Sequence, residues 1–390
     1  MESSKKYRIT LYCIVTGLFW FSFYSYVPTL SPYIESLGAS YKMIGIILGS
    51  FGFTQMLLRI PLGIISDKIN RRKVFVVLGV FLGFASALGM WLFNDLILIL
   101  IFRAMSGAAA ATWVTYVVLF SSYFDSNDTP KAMGIINAFL RVGQVTAMLI
   151  GGQAAQYYGQ KAPFLVAVVG GIIGLVLSTG VVEKKNDHHK QVRLKSLILV
   201  MKEVELIKVS ILAILFQIII FATVFGFVPV AAKKIGATSL QLGMLTTLST
   251  LPAIFSSALS GTLAERYGEK KTIMFGFLVI AFSCITVPYI SSVLLLFIIQ
   301  IIGGFARGFV FSLLMGLSIK NIEEDKRATA MGFYQAVYGI GMFLGPIIVG
   351  FLSDIGSLTL GFWFTGVIGL FAVVLTGIFL NAFKTVEIGL

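Results

Sequence analysis

Twelve apolar stretches of about twenty residues follow one another along this 390-residue chain, and they limit what it can fold into. A helix of that length crosses a hydrocarbon layer of about 30 Å at about 1.5 Å per residue. Only 12% of the residues are charged, whereas a soluble domain carries about a quarter. A transmembrane barrel would instead show alternating strands of about ten residues. The sequence therefore predicts an all-α membrane protein, with spans over approximately 9–32, 43–66, 74–93, 96–119, 133–152, 162–182, 209–232, 240–262, 273–292, 294–318, 329–352 and 360–383.

Lysine and arginine fall mostly on one side of these spans. If the amino terminus is taken as cytoplasmic, 22 of the 30 lie in inner segments, four lie within spans and four lie in outer loops. Positive residues concentrate in cytoplasmic loops, so both termini are predicted to be cytoplasmic in a multi-pass protein of the plasma (inner) membrane. The net charge of +13 then reflects topology and gives no reason to expect a nucleic-acid partner.

A charged stretch over 183–208 separates six spans from six. It predicts three parts: an N-terminal six-helix bundle over 1–182, a cytoplasmic linker over 183–208 and a C-terminal six-helix bundle over 209–390. Apolar residues recur at helical spacing in the second part of the linker, with lysines between them. This pattern predicts an amphipathic helix on the inner membrane surface.

Glycines recur at a constant offset of 198 positions between the two halves. The pairs are Gly38 with Gly236, Gly45 with Gly243, Gly63 with Gly261, Gly134 with Gly332, Gly143 with Gly341, and Gly152 with Gly350. The pair Asp67-Lys68 also corresponds to Glu265-Arg266 at this offset. A constant offset over several helices indicates a duplicated six-helix unit.

The loop between the second and third spans carries a recognisable motif. The segment 63–72, GIISDKINRR, resembles the G-x-x-x-D-R/K-x-G-R-R/K signature of the major facilitator superfamily, and 261–270 is a weaker copy. Asn70 stands where the family usually has glycine, a mild departure because asparagine also tolerates the left-handed conformation. The resemblance implies two pseudo-symmetric six-helix bundles and a secondary transporter that works by alternating access.

The resemblance also implies a cytoplasmic gate. In the family, the aspartate at the position of Asp67 faces the amino end of the eleventh helix, where the helix dipole favours an anion. That contact would hold the halves together on the inner side in the outward-open state. The alternative is that this basic loop serves only as a topology signal. The predicted gate residues are Gly63, Asp67, Lys68, Arg71, Arg72 and Arg59 in the first half, and Gly261, Glu265 and Arg266 in the second.

Motifs of drug exporters are present only in part. Arg103-x-x-Ser106-Gly107 resembles the R-x-x-Q-G motif of proton-coupled members, with serine in place of glutamine. The fifth span has Ala147-Met148 where drug antiporters have Gly-Pro, and the Gly-Pro pair occurs at 345–346 in the eleventh span. These partial motifs favour export over import without deciding the direction.

Buried charge in this chain is positive. Arg59, Arg103, Arg141 and Arg307 lie within spans, whereas all seventeen acidic residues lie outside the spans or at their ends. Ionisable groups at membrane depth are costly and usually face a cavity or a partner. Arg59 is interpreted as bracing the gate; the other three are predicted to face the cavity, with bracing against backbone carbonyls as the alternative.

Polar neighbours extend the predicted cavity. Asn137 and Gln144 lie at helical spacing from Arg141 and form a polar stripe. Tyrosines suit such a cavity because their hydroxyls need partners while their rings are apolar. The tyrosines favoured as lining residues are Tyr24, Tyr26, Tyr334 and Tyr338.

These features predict a secondary transporter that exports a small organic solute, anionic or amphipathic. The alternatives are a multidrug proton antiporter for neutral or cationic compounds and a membrane sensor that does not transport. The chain lacks HExxH and GxSxG, and it has no paired acids at membrane depth, so an enzyme, a metal site or a cofactor is not predicted. The predicted partners are the solute and membrane lipid, with a coupling proton or counter-anion left open, and the predicted state is a monomer.

Overall fold

The computed structural model describes residues 2–69, 71–125, 128–183, 200–323 and 326–380, and this part of the chain contains twelve helices long and apolar enough to cross a membrane. The predicted all-α membrane fold is confirmed. In chain order the helices are α1 (Glu2–Tyr24 and Val27–Ser36), α2 (Tyr41–Ile69), α3 (Arg72–Leu92), α4 (Leu96–Ala111 and Trp113–Ser121), α5 (Thr129–Tyr158), α6 (Ala162–Thr179), α7 (Val204–Ala222, Thr223–Phe227 and Val228–Lys234), α8 (Ser239–Tyr267), α9 (Glu269–Thr286, with Val287–Tyr289), α10 (Val293–Lys320), α11 (Arg327–Ile355) and α12 (Leu358–Phe379).

Most helices extend a few residues beyond the predicted apolar spans, because polar residues continue the helix outside the hydrocarbon layer. The start of α8, one residue before its predicted span, is an example. Thr238 and Gln241 form a reciprocal capping box, in which each side chain accepts a hydrogen bond from the other residue's backbone N–H. The predicted amphipathic helix of the linker falls mostly on 184–199, outside the described residues.

Two helices are interrupted at corresponding positions, which the apolar pattern did not predict. The bend in α1 lies at Ser25 and Tyr26, and the π-helical turn of α7 begins at Thr223, which is 198 positions after Ser25. Prolines follow both interruptions, at Pro28 and Pro229. A proline has no N–H to donate to the preceding turn, so it favours such a break. Breaks near the membrane midplane recur at binding sites of transporters.

We name the two ends of the helix bundle by their loops. The linker face carries the amino-terminal end of α1, residue 71 and the carboxyl end of α6. The far face carries the loops over 37–40, 159–161, 235–238 and 356–357. Odd-numbered and even-numbered helices run in opposite directions between these two faces.

The halves pack tightly against each other near the far face. A Cβ atom added to Gly45 of α2 would overlap the carbonyl oxygen of Pro346 in α11. At the corresponding seam, a Cβ added to Gly243 of α8 would lie 2.6 Å from the Met148 carbonyl oxygen of α5. Only glycine permits such close backbone approach, as in small-residue seams of other membrane helices. Both seams therefore join the first half to the second at this end.

At the linker face, glycines of three of these helices lack such close contacts. Within the described residues, a Cβ added to Gly134 of α5, Gly261 of α8 or Gly332 of α11 would meet no heavy atom within 4 Å. These glycines lie close to the ends of their helices on that face. The halves are therefore in close backbone contact at the far face, and these three glycines make no such contact at the linker face.

Candidate solute cavity and gates

Three of the four arginines within apolar spans lie at different depths of the bundle. Arg59 and Arg141 lie beside Tyr338 of the second half, and Arg103 contacts Tyr26 and Phe51 of its own half. Arg141 of α5 is twelve residues from the linker-face end of its helix, which places it at a depth of about 18 Å. Arg59 of α2 is ten residues from that face, a depth of about 15 Å. Arg103 lies seven residues from the far-face end of α4. All three belong to the first half.

Each of these arginines has a polar neighbour that is not a carboxylate. The Nη1 atom of Arg59 donates to the hydroxyl of Tyr338 across the two halves, at 3.4 Å. Arg103 Nη1 donates to the Tyr26 hydroxyl at 3.4 Å. Arg141 Nη1 donates to Gln144 Oε1 at 3.0 Å.

Aromatic rings connect these arginines. The Arg103 guanidinium lies 4.5 Å from the centre of the Phe51 ring, within range of a cation–π contact. Tyr24 of α1 contacts Phe225 in the π-helical turn of α7, with ring centres 5.9 Å apart. Arg141 lies close enough to Tyr24 and Tyr338 to interact with them electrostatically. The two helix interruptions therefore border the region that holds Arg141.

Several donors in this region have no partner. Within the described residues, the Nε atoms of Arg59 and Arg103 and the Nε1 atom of Trp20 are buried and make no hydrogen bond. The side chains of all three are more than nine-tenths buried. Buried polar groups are nearly always paired, so unpaired donors need an explanation. In this conformation all three donor atoms are enclosed by protein atoms.

Carboxylates are distant from these guanidinium groups. The ion pairs found in the described parts of the chain join Asp67 to Arg72, Glu205 to Lys208, Glu269 to Lys320 and Glu323 to Lys326. All lie at or near helix ends on the linker face. The three arginines of the first half therefore keep a net positive charge in the interior.

Other predicted cavity residues lie elsewhere. Arg307 is held within the second half, where its Nη2 atom donates to Ser249 Oγ at 2.7 Å and to the Gln300 carbonyl oxygen at 3.1 Å. Tyr334 is completely buried in the core of the second half, and its hydroxyl has no partner among the described residues. Asn137 is exposed and donates to the Met133 carbonyl oxygen of its own helix at 2.8 Å. Arg307 and Asn137 do not share the contacts that link the other predicted residues, whereas the Tyr334 ring contacts that of Tyr338, with centres 5.4 Å apart.

The predicted gate loop is folded back on its own half. Asp67 accepts a hydrogen bond from Arg72 at 2.6 Å, and the Arg72 backbone N–H donates to Glu183 at 2.6 Å. A Cβ added to Gly63 would meet Val114 at 3.6 Å, which is ordinary packing. The remaining predicted gate residues have exposed side chains or, for glycine, an exposed backbone: Lys68, Arg71, Gly261, Glu265 and Arg266. The predicted contact of Asp67 with the amino end of α11 stays a prediction for another conformation.

Residues missed by the sequence analysis close the far face. Asp354, at the end of α11, accepts hydrogen bonds from the backbone N–H groups of Tyr41 and Lys42 at 2.8 and 2.9 Å. Gln156, near the end of α5, accepts one from the Ser239 backbone N–H at 3.1 Å. The offset of 198 that relates the glycines also relates Gln156 to Asp354.

Known proteins show the same architecture and related sequences. The family model of the Major Facilitator Superfamily matches residues 12–233 and 209–386. An uncharacterized MFS-type transporter, MJ1560 of Methanocaldococcus jannaschii, is 26% identical over 342 residues, which cover 84% of this chain and 86% of the relative. The quinolone resistance protein NorA of Staphylococcus aureus (strain N315) is 31% identical over 150 residues, covering 38% of each chain.

Solved structures agree in fold at low sequence identity. A point mutant of the nucleoside transporter NupG superposes with a TM-score of 0.80 at 16% identity, over 97% of this chain and 100% of the other. A bacterial homolog to the human lysosomal transporter Spinster, in an inward-facing and occupied conformation, has a TM-score of 0.78 at 15% identity and covers 96% of both chains. Fold and sequence together establish that this multi-pass membrane protein belongs to the major facilitator superfamily of transporters.

Proposed function

We propose that this transporter exports an amphipathic organic anion by alternating access, with the linker face in the cytoplasm. The observation that carries the proposal is the set of three arginines within the apolar spans of the first half, Arg59, Arg103 and Arg141, whose side-chain partners are tyrosine and glutamine. Fixed positive charge in a region of low dielectric lowers the cost of admitting an anion and raises it for a cation. The unpaired donors of Arg59 and Arg103 suit a carboxylate, sulfonate or phosphate group.

The aromatic surroundings support an amphipathic solute rather than a small inorganic anion. Tyr24, Phe225 and Tyr338 have partly exposed rings near Arg141 and come from both halves. Rings of this kind pack against the apolar part of an organic molecule, while the guanidinium binds its charged part. The proposed solute therefore combines an aromatic or apolar body with one acidic group.

Export is supported by one relative. Positive loops favour a cytoplasmic linker face, so a conformation closed at the far face would exchange solute with the cytoplasm. The partial likeness to a quinolone resistance protein agrees with removal of compounds from the cell. A bound anion would neutralise the cavity, which makes reorientation of the loaded carrier easier than that of the empty one. That asymmetry favours anion exchange or anion symport with a proton.

Binding to the purified protein tests the proposal. We expect aromatic carboxylates to raise its melting temperature, whereas amides and amines of the same ring system do not, because only a ligand of the native state adds stability. Arg141→Gln should weaken carboxylate binding about tenfold or more, and Arg141→Lys should retain part of it, because lysine keeps the charge without the planar guanidinium.

Arg307→Gln is the matched control, since Arg307 is another arginine deep within an apolar span and is held by Ser249 and Gln300. It should lower the melting temperature of the free protein and leave the carboxylate affinity unchanged. Equal affinities of Arg141→Gln and the wild-type protein for every carboxylate in the panel would overturn the assignment of Arg141.

A multidrug proton antiporter for neutral or cationic compounds is the second candidate, and the likeness to NorA favours it. Antiport of this kind needs a group that exchanges protons within the cavity, and arginine stays protonated at accessible pH. Stabilisation by lipophilic amines that persists in Arg103→Gln and Arg141→Gln would support this candidate. Carboxylate binding without any flux in vesicles would instead support a sensor.

A further inference from the structure

We infer that the far-face gate is held closed by two helix caps that cross between the halves, a strong one made by Asp354 and a weak one made by Gln156. Asp354 belongs to the second half, and both of its carboxylate oxygens accept hydrogen bonds from the first two residues of α2 in the first half, Tyr41 and Lys42. Gln156 belongs to the first half and accepts from Ser239, the first residue of α8 in the second half. Each half therefore caps a helix of the other.

The two caps are copies of one device. The acceptors Gln156 and Asp354 are 198 positions apart, and so are the donors Tyr41 and Ser239. The glycine seams follow the same offset directly beneath the caps: a Cβ added to Gly350 would overlap the Tyr41 carbonyl oxygen, and one added to Gly152 would lie 2.9 Å from the Gly243 Cα atom. The duplication that produced the halves therefore produced the gate twice.

The caps differ in charge, and this makes them unequal. The first N–H groups of a helix have no partner inside the helix, and the helix dipole adds about half a positive charge at that end. A carboxylate satisfies the N–H groups and the dipole together, whereas the amide oxygen of Gln156 satisfies one N–H group. Both side chains are exposed, so solvent moderates the difference.

Other contacts strengthen the charged end of the gate. The Nζ atom of Lys234, at the end of α7, donates to the Tyr41 hydroxyl, which in turn donates to Glu35 Oε1 at 3.2 Å. The same ammonium lies 4.9 Å from the centre of the Tyr41 ring. The amino end of α2 is therefore held by two helices of the second half, and these contacts must break before the far face can open.

Gate strength should set the balance between the two conformations of the carrier. This inference depends on alternating access as proposed above, but it does not depend on the charge of the solute. Removing the charge of Asp354 should favour the conformation that is open at the far face. Adding charge at residue 156 should favour the present one. From the usual size of a helix-dipole interaction, each change should shift the equilibrium about 2- to 5-fold.

Cysteine labelling measures this shift. In a background with Cys13→Ala and Cys284→Ala, Ile44→Cys reports on the far-face gate, because Ile44 is fully buried within one turn of the cap. Gly332→Cys reports on the opposite mouth, where an added Cβ meets no atom of the described residues within 4 Å. Asp354→Asn should accelerate labelling at residue 44 about 2- to 5-fold and slow it at residue 332, whereas unfolding would accelerate both.

Two further variants complete the test. Gln156→Glu should change both rates in the opposite sense to Asp354→Asn. Asp95→Asn is the matched control, because Asp95 is an exposed far-face aspartate that caps its own helix, with Ile97 and Leu98 N–H groups at 2.9 Å. It should leave both rates unchanged. Equal labelling rates in wild type, Asp354→Asn and Gln156→Glu would overturn the inference. Carboxylate binding by the same proteins tests the proposed function independently of the gate.

Discussion

At the scale of single residues, two side chains of the same type at similar depths in a span can have different structural roles. Arg141 and Arg307 are both arginines deep within an apolar span, yet one lies near the tyrosines between the halves and the other is held within the second half. The sequence identified the four arginines within the spans, because a charged residue is easily recognised in an apolar segment. It could not distinguish their directions, since that depends on how each helix is rotated against its neighbours.

Two tyrosines one helical turn apart give a prediction at this scale. Tyr338 accepts a hydrogen bond from Arg59, whereas the Tyr334 hydroxyl is buried without a partner in the described part of the chain. Tyr338→Phe should lower stability by about 0.5–1.5 kcal/mol, because it leaves a buried guanidinium donor unpaired. Tyr334→Phe should be neutral or stabilising, because it removes a hydroxyl that gains nothing from burial.

Melting temperatures of the two purified variants provide the comparison, and each serves as the control for the other. The rings stay in place in both, with centres that are 5.4 Å apart in the wild type. A larger loss of stability in Tyr334→Phe than in Tyr338→Phe would contradict these assignments.

At the scale of elements, the sequence predicted every span but treated α1 and α7 as continuous. Apolar runs specify that a segment is buried in lipid, and they carry little information on a local change of helical pitch. Pro28 and Pro229 were available as indications. The interruption of α7 also depends on a tertiary contact, in which Ser31 Oγ of α1 donates to the Gly226 carbonyl oxygen in the π-helical turn, at 2.6 Å.

This contact between α1 and α7 leads to a second prediction. Ser31→Ala should destabilise the protein by about 1–2 kcal/mol, because the buried Gly226 carbonyl oxygen loses its donor from the other half. Ser25→Ala is the matched control on the same helix, since Ser25 Oγ donates at 2.7 Å to the Phe21 carbonyl oxygen within α1.

Ser25→Ala should change the melting temperature less than Ser31→Ala. The Ile44→Cys reporter adds a second readout, because only the contact between the halves opposes far-face opening. Faster labelling with Ser31→Ala and unchanged labelling with Ser25→Ala is the expected pattern. The reverse order would show that the interruption of α7 does not join the halves.

At the scale of the whole molecule, the duplication explains most of what could be predicted. The offset of 198 indicated two equivalent halves, and the structure repeats it in the helix interruptions, the glycine seams and the far-face caps. Asp354 and Gln156 were missed because each looks like an ordinary polar residue at the end of an apolar span. Their role depends on which helix end lies opposite, and that follows only from the arrangement of the halves.

The arginines within spans are distributed unequally between the two related halves. The first half supplies Arg59, Arg103 and Arg141, while the arginine of the second half is held by its own helix and α8. The duplicated scaffold therefore provides the gates, and the first half provides the positive charge that we assign to solute binding. Transport of an organic anion is the central claim that follows from this division.

Counterflow in proteoliposomes tests that claim most directly. Vesicles are loaded with an unlabelled aromatic carboxylate that stabilises the purified protein, and uptake of the same labelled compound is followed beside the matched amine. We predict transient accumulation of the carboxylate above equilibrium, little flux of the amine, and loss of carboxylate flux in the Arg103→Gln, Arg141→Gln double variant. Proton-driven exchange of the amine that continues in this double variant, with no carboxylate flux in the wild-type protein, would contradict the account.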